Sequence, residues 1–158
     1  MERPPVVLLA GGDSPERLVS LASGANCAAA LREAGYAVQL LDPAECPLRN
    51  FSWPRGAAAF LALHGGAGED GRVQQQLREL GIPYTGSGPA ASRLAMNKSV
   101  SKEEFRRAAL PTPAAVLLTE PGDAQMDTVI SKLGLPLVVK PNGAGSSVGV
   151  AVVRRPEE

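Results

Sequence analysis

Short apolar runs that each end in a glycine turn and are separated by a helical stretch leave this chain few possible folds. Residues 6–10 (Val-Val-Leu-Leu-Ala) run into Gly11-Gly12-Asp13-Ser14. Residues 57–63 run into His64-Gly65-Gly66-Ala67-Gly68-Glu69-Asp70-Gly71. Both apolar runs have strand length. Ser14 followed by Pro15 predicts a helix start, with serine as the cap and proline at the first helical position. That helix should run to about Ala34, where Gly35 stops it in the left-handed conformation. Ala25, Ala28, Ala29 and Ala30 should let it pack closely on the sheet. Residues 36–41 read as a second strand. Residues 42–56, with Pro43, Pro47 and Pro54, read as an irregular loop. Residues 72–80 predict a helix with Asp70 as its cap and Gly81 as its stop. Residues 84–86 predict a short fourth strand. This order predicts a parallel sheet with helices on both faces. Ligands in such sheets lie beyond the carboxyl ends of the strands, where both glycine turns fall.

Past residue 87 the pattern changes. Residues 89–95 predict a short helix, and Asn97 can cap a longer one over 98–109. Pro111-Thr112-Pro113 forces extension. A strand is expected at 114–118 and a helix within 122–132. A domain boundary is placed near 93–97, giving an N-terminal α/β domain over 1–93 and a second over 94–158. The second ends in a strand over 135–139, the loop Lys140-Pro141-Asn142-Gly143-Ala144-Gly145-Ser146-Ser147-Val148-Gly149, and a strand over 148–153. The loop differs from the phosphate loop of nucleotide hydrolases, which needs Gly-Lys-Ser/Thr and a following helix. It also differs from the dinucleotide fingerprint. Phosphate binding remains open to it. Its glycines let backbone N–H groups approach an anion, its serines add hydroxyl donors, and Lys140 adds charge. Asn142-Gly143 between apolar strands is equally a hairpin turn signal.

Composition narrows the partners. The 16 Lys and Arg balance 16 Asp and Glu and are interspersed with them, which argues against a nucleic-acid footprint or a polybasic membrane surface. Cys27 and Cys46 lack metal-ligand spacing and read as reduced thiols. The first apolar run is too short for a signal peptide or membrane span, so the cytoplasm is the expected location.

Several motifs, taken together and in order, resemble D-alanine:D-alanine ligases. They are Gly11-Gly12-x-Ser14-x-Glu16-x-x-Val19-Ser20, His64-Gly65-x-x-Gly68-Glu69-Asp70-Gly71, and Pro83-Tyr84-Thr85-Gly86-Ser87-Gly88. Met96-Asn97-Lys98, Val139-Lys140-Pro141 and Gly145-Ser146-Ser147-Val148-Gly149 complete the set. The resemblance implies a Rossmann-like pre-ATP-grasp domain, followed by the incomplete first part of an α+β ATP-grasp domain. It implies an enzyme of peptidoglycan precursor synthesis. ATP phosphorylates the carboxylate of one D-alanine, and the amine of a second attacks the acyl phosphate.

The resemblance assigns Glu16 to the ammonium of the first D-alanine; on its own, Glu16 reads as a helix-start acid. Ser146 matches a serine of the same substrate network, and otherwise reads as a turn serine. Lys98 and Lys140 match lysines on the ATP phosphates, with Gly145, Ser146 and Ser147 forming a lid over them. Without the resemblance, Lys98 reads as a solvated helix charge beside Lys102 and Arg106. His64, the sole histidine, is either on the substrate side or a loop histidine satisfied by backbone. Asn97 stands where the family usually has aspartate, and Ala144 where a larger or charged residue is common. Family members run to roughly twice this length, as three domains require. The carboxylates that hold Mg2+ or Mn2+, an arginine near the transferred phosphate and the loop that selects the second substrate are therefore expected to be missing from the 158 residues. The chain reads as the N-terminal part of a ligase, inactive alone and homodimeric by resemblance; the alternative is a truncated paralogue serving as a non-catalytic binding module.

Overall fold

The computed structural model describes residues 3–119 and 123–157. They fall into two compact units, Met1–Arg93 and Leu94–Glu158. In the first, β1 (Val6–Leu9), β2 (Val38–Leu41) and β3 (Ala58–Leu61) form a parallel sheet in the order β2-β1-β3. Val6 pairs with Val38 on one side and with Ala58 on the other. The central strand is buried along its whole length, and Val7, Leu8 and Leu9 are fully enclosed. Its side chains alternate between two cores. Val7 and Leu9 pack with Leu48, Val73 and Leu77, while Leu8 and Ala10 pack with Ala28 and Ala62. Each such leucine contributes about 1.5–3 kcal/mol by burial.

Helices α1 (Arg17–Glu33) and α2 (Arg72–Glu79) supply Ala28 to one face and Val73 and Leu77 to the other. Both end as expected on a left-handed glycine, Gly35 at φ 81° and Gly81 at φ 70°. The Gly35 and Tyr36 amides bond back to Arg32 O and Leu31 O, and those of Gly81 and Ile82 to Arg78 O and Leu77 O. The paired bonds satisfy carbonyls that a helix end leaves open.

Four local expectations are corrected. The residue that opens α1 is Glu16, with no side-chain cap; Ser14 lies two residues earlier, where its hydroxyl accepts the Glu16 amide and donates to the His64 carbonyl. Of the four alanines, only Ala28 is buried; Ala25, Ala29 and Ala30 are exposed. The close approach comes from Gly24, where a Cβ would stand 2.4 Å from that of Ala10. Residues 84–86 form no strand but a single parallel bridge, Tyr84 with Ala59. Asp70 precedes the N-cap of α2, which is Gly71 at φ 90°. Its carboxylate nevertheless accepts the Arg72 amide at 3.0 Å and Arg72 Nε at 2.8 Å.

Helix α3 (Pro89–Met96) contains the division between the units. The second unit holds α4 (Lys98–Arg107), α5 (Asp123–Leu133) and the antiparallel pair β4 (Leu137–Val139) and β5 (Ala151–Val153). Asn97 caps α4 as expected, accepting the Val100 amide at 3.1 Å. Residue 122, where the sequence predicts the next helix to open, lies outside the described residues. The strand expected at 114–118 is absent: those residues carry no ladder, and Val116 packs against Val129, Leu137 and Val153 instead. A short apolar run can pack one side chain against a core without pairing its backbone.

Candidate functional site

The carboxyl end of the first sheet gathers three loops around a cleft of about 300 Å³. Gly11 to Ser14 follow β1, Pro43 to Leu48 follow β2, and Leu63 to Gly68 follow β3; Arg72, Val73 and Gln76 of α2 complete the wall. Two polar side chains tie these loops together. Ser20, fully buried in the first turn of α1, accepts the Gly11 amide at 2.9 Å and donates to Ala62 O at 2.7 Å. It thereby joins the ends of β1 and β3. Asp42, just past β2, accepts the amides of Gly12 and Ala44, both at 2.9 Å, and pairs with Arg17 Nη1 at 2.6 Å. Arg17 also donates to Gly12 O at 2.9 Å. Burial pushes the Asp42 carboxyl up, but the two amides and the guanidinium outweigh it and hold it below the ordinary carboxylate range. Gly11 shows how tight the joint is: a Cβ there would stand 2.1 Å from Asp42 Oδ2. The Gly11 and Gly12 amides are thus committed to Ser20 and Asp42, so this glycine turn is a braced floor.

The second glycine loop is latched to the start of α1. Ser14 Oγ donates to His64 O at 2.6 Å and accepts the Glu16 amide at 3.1 Å. Ser23 Oγ lies 3.0 Å from His64 Nε2. Gly65, at φ 66° and ψ 175°, takes a conformation open essentially to glycine alone. A Cβ there would stand 2.4 Å from Glu16 Oε2. The fold therefore brings Glu16 and the His64-Gly65 turn together, with His64 and Gly65 lining the cleft.

The second unit presents its own pocket, about 200 Å³, lined by Lys98, Lys140, Pro141, Ala144 to Val148 and Val150. Ser146 and Ser147 both stand in the left-handed region, at φ 48° and 60°. Two successive residues of that kind tilt the backbone N–H groups toward one side. The loop's base is clamped to the start of α4 by Asn142. Its Nδ2 donates to Asn97 Oδ1 at 3.0 Å, its Oδ1 accepts the Ser99 amide at 2.9 Å, and its carbonyl accepts the Lys98 amide at 3.1 Å. Lys98 Nζ donates to the carbonyls of Asn142 and Ala144. Lys98 is thus no solvated surface charge, and neither is Lys102, which holds Thr112 Oγ1 and Pro113 O. The Lys140 ammonium has no hydrogen bond or ion pair among the described residues.

Of the sequence-predicted residues, Glu16 and His64 fall in the first unit, where His64 lines the cleft and Glu16 stands beside Gly65, and Lys98, Lys140, Gly145, Ser146 and Ser147 fall in the second and line its pocket. Ser20, Ser23, Asp42 and Asn142 are supports that sequence reasoning misses. The one signal for Asp42 is an acid directly following an apolar run. Asn142 is hidden by its other reading, as a hairpin turn residue. Among the described residues no three or more His, Cys, Asp or Glu come together as a group that could hold a metal ion.

Residues 105–158 match the family described as D-ala D-ala ligase C-terminus. A D-alanine--D-alanine ligase of Synechococcus sp. is 47% identical over 94% of this chain and 47% of its own length. The crystal structure of the D-alanine--D-alanine ligase from Bacillus anthracis superposes with a TM-score of 0.78 at 36% identity, over 97% of this chain and 50% of that one. The structure of that ligase complexed with ATP gives a TM-score of 0.76 at 32% identity, over 98% of this chain and 52% of that one. The chain spans about half the length of the relatives it matches. In sequence and in fold the chain is similar to D-alanine--D-alanine ligases over about half of their length.

Proposed function

We propose that this chain provides the substrate-side and phosphate-loop parts of an ATP-dependent D-alanine:D-alanine ligase, a cytoplasmic enzyme of peptidoglycan precursor synthesis. Glu16 would take the ammonium of the first D-alanine, and His64 would face its carboxylate. Lys98, Lys140 and the loop from Gly145 to Ser147 would hold the phosphates of ATP, with Ser146 reaching the substrate network. The observation that supports this most is the state of Lys140. A full positive charge lines the loop's pocket with no partner among the described residues. A phosphate would neutralise it and meet the tilted amides of the same loop. ATP, when bound, supplies the phosphoryl group that makes the carboxylate an acylating agent. The protein's part is to orient both reactants and exclude water from the acyl phosphate.

The test is ligand binding to the 158-residue chain, followed by amide NMR. D-alanine is expected to move the signals of residues 11–16 and 64–71, and ATP those of 98 and 140–149. L-alanine should move neither. Glu16→Gln keeps the shape and removes the charge. It should weaken D-alanine by roughly 1.5–3 kcal/mol, the range for a charged hydrogen bond, and leave ATP binding unchanged. Equal responses to D- and L-alanine, or no loss in Glu16→Gln, would refute the assignment.

A further inference from the structure

We infer that Ser23 is a positioning residue that sets the tautomer of His64, leaving Nδ1–H as the donor offered to a ligand. The inference rests on the reading of His64 as a substrate-side residue. Ser23 sits on α1 one turn beyond Ser20, and its Oγ meets His64 Nε2 at 3.0 Å. A neutral imidazole has one donor and one acceptor nitrogen, so whichever proton Ser23 dictates at Nε2 decides the other. The Ser23 hydroxyl has no other hydrogen-bond partner among the described residues. Were Nε2–H the donor, the hydroxyl hydrogen of the half-buried Ser23 would have no acceptor among the described residues and would be left to solvent. With Ser23 donating, Nε2 accepts and the ring proton moves to Nδ1. Nδ1 itself has no partner among the described residues, and His64 lines the cleft.

The backbone is held as firmly as the ring. Ser14 Oγ takes the His64 carbonyl at 2.6 Å, so two serines on either side of the start of α1 hold the residue at both ends. The Gly65 turn then carries the chain past Glu16 Oε2. A carboxylate ligand would meet an N–H of neutral His64 in an orientation already paid for by folding.

Because His64 is the only histidine, its ring nitrogens give one isolated set of NMR signals. Two-bond proton–nitrogen spectra of the 158-residue chain above the histidine titration range read the tautomer without any ligand. In the unsubstituted protein, Nδ1 is expected to be the protonated nitrogen. Ser23→Ala should shift the population toward Nε2–H, and Ser23→Thr, which keeps the hydroxyl, should restore it. A serine that only fills space would leave the tautomer unmoved in all three. An Nε2–H majority in the unsubstituted protein, or an unaltered spectrum in Ser23→Ala, overturns the inference. Adding D-alanine then tests the underlying reading separately. The Nδ1–H signal should move, and Ser23→Ala should need at least tenfold more D-alanine for the same shift. A locked tautomer that ignores D-alanine would overturn the substrate reading, while the Ser23 lock itself would stand.

Discussion

Replacing Ser20 by alanine isolates the joint that holds the first cleft. The hydroxyl is fully buried and makes two bonds, accepting from Gly11 N and donating to Ala62 O. Neither of those groups has another bond among the described residues. Ser20→Ala therefore strands one buried donor and one buried acceptor, each costing about 1–3 kcal/mol. The space vacated by one oxygen is too small for a water with the two to four partners that would repair it. The two groups relax toward each other only in part, since each continues a strand of the sheet. The expected loss is about 2–4 kcal/mol. Urea unfolding read by Trp53 fluorescence suits the purpose. Trp53 is the only tryptophan, packs against the core of this unit and donates Nε1–H to Leu48 O at 3.0 Å. With a slope of about 1–3 kcal/mol per molar urea, the midpoint should fall by about 1–3 M with the slope unchanged. Ser20→Cys, a weak hydrogen bonder of similar size, should fall in between. A loss below about 1 kcal/mol would mean that the Ser20 bonds are not needed to close the sheet, and the account of the braced floor would be wrong.

Two further outcomes follow from the same geometry. Asp42 has a folded-state pKa below its ordinary value of 3.8, so its contribution is fully present above that value and is lost as pH falls through the lower, folded value. Stability of the first unit should therefore decline below about pH 4, and Asp42→Asn should flatten that part of the profile, as measured by Trp53 unfolding at a series of pH values. If the two profiles run parallel, Asp42 is not the group that titrates. In the second unit, Asn142→Ala removes the bonds to Asn97 and the Ser99 amide, so amide hydrogen exchange should quicken over 140–149 while that of β1 stays slow. Unchanged exchange in the loop would show that the Lys98 contacts hold it alone.

The sequence by itself carried the alternation of strand and helix, because strand length, helix length and the glycine stops at Gly35 and Gly81 are local properties of the backbone. It carried the carboxyl-end location of the two N-terminal glycine turns for the same reason: parallel connection of successive strands leaves no other end for them. The ordered motifs carried the resemblance to D-alanine:D-alanine ligases. Tertiary structure decided what the polar side chains do. Ser14 reads locally as a helix cap, yet its hydroxyl holds a carbonyl 50 residues away, at His64. Asn142 has the sequence of a turn and the function of a clamp, with partners some 45 residues upstream at Asn97 and Ser99. Lys98 has the look of a surface charge and instead binds the carbonyls of a distant loop. The apolar run at 114–118 packs a half-buried Val116 against a core without joining a sheet. For the polar groups, the local preference is worth at most about a kilocalorie, as for a helix cap. A buried polar group left without a partner costs about 1–3 kcal/mol. Avoiding that penalty outweighs the local preference, and the partners that avoid it come within reach only when distant segments have folded together.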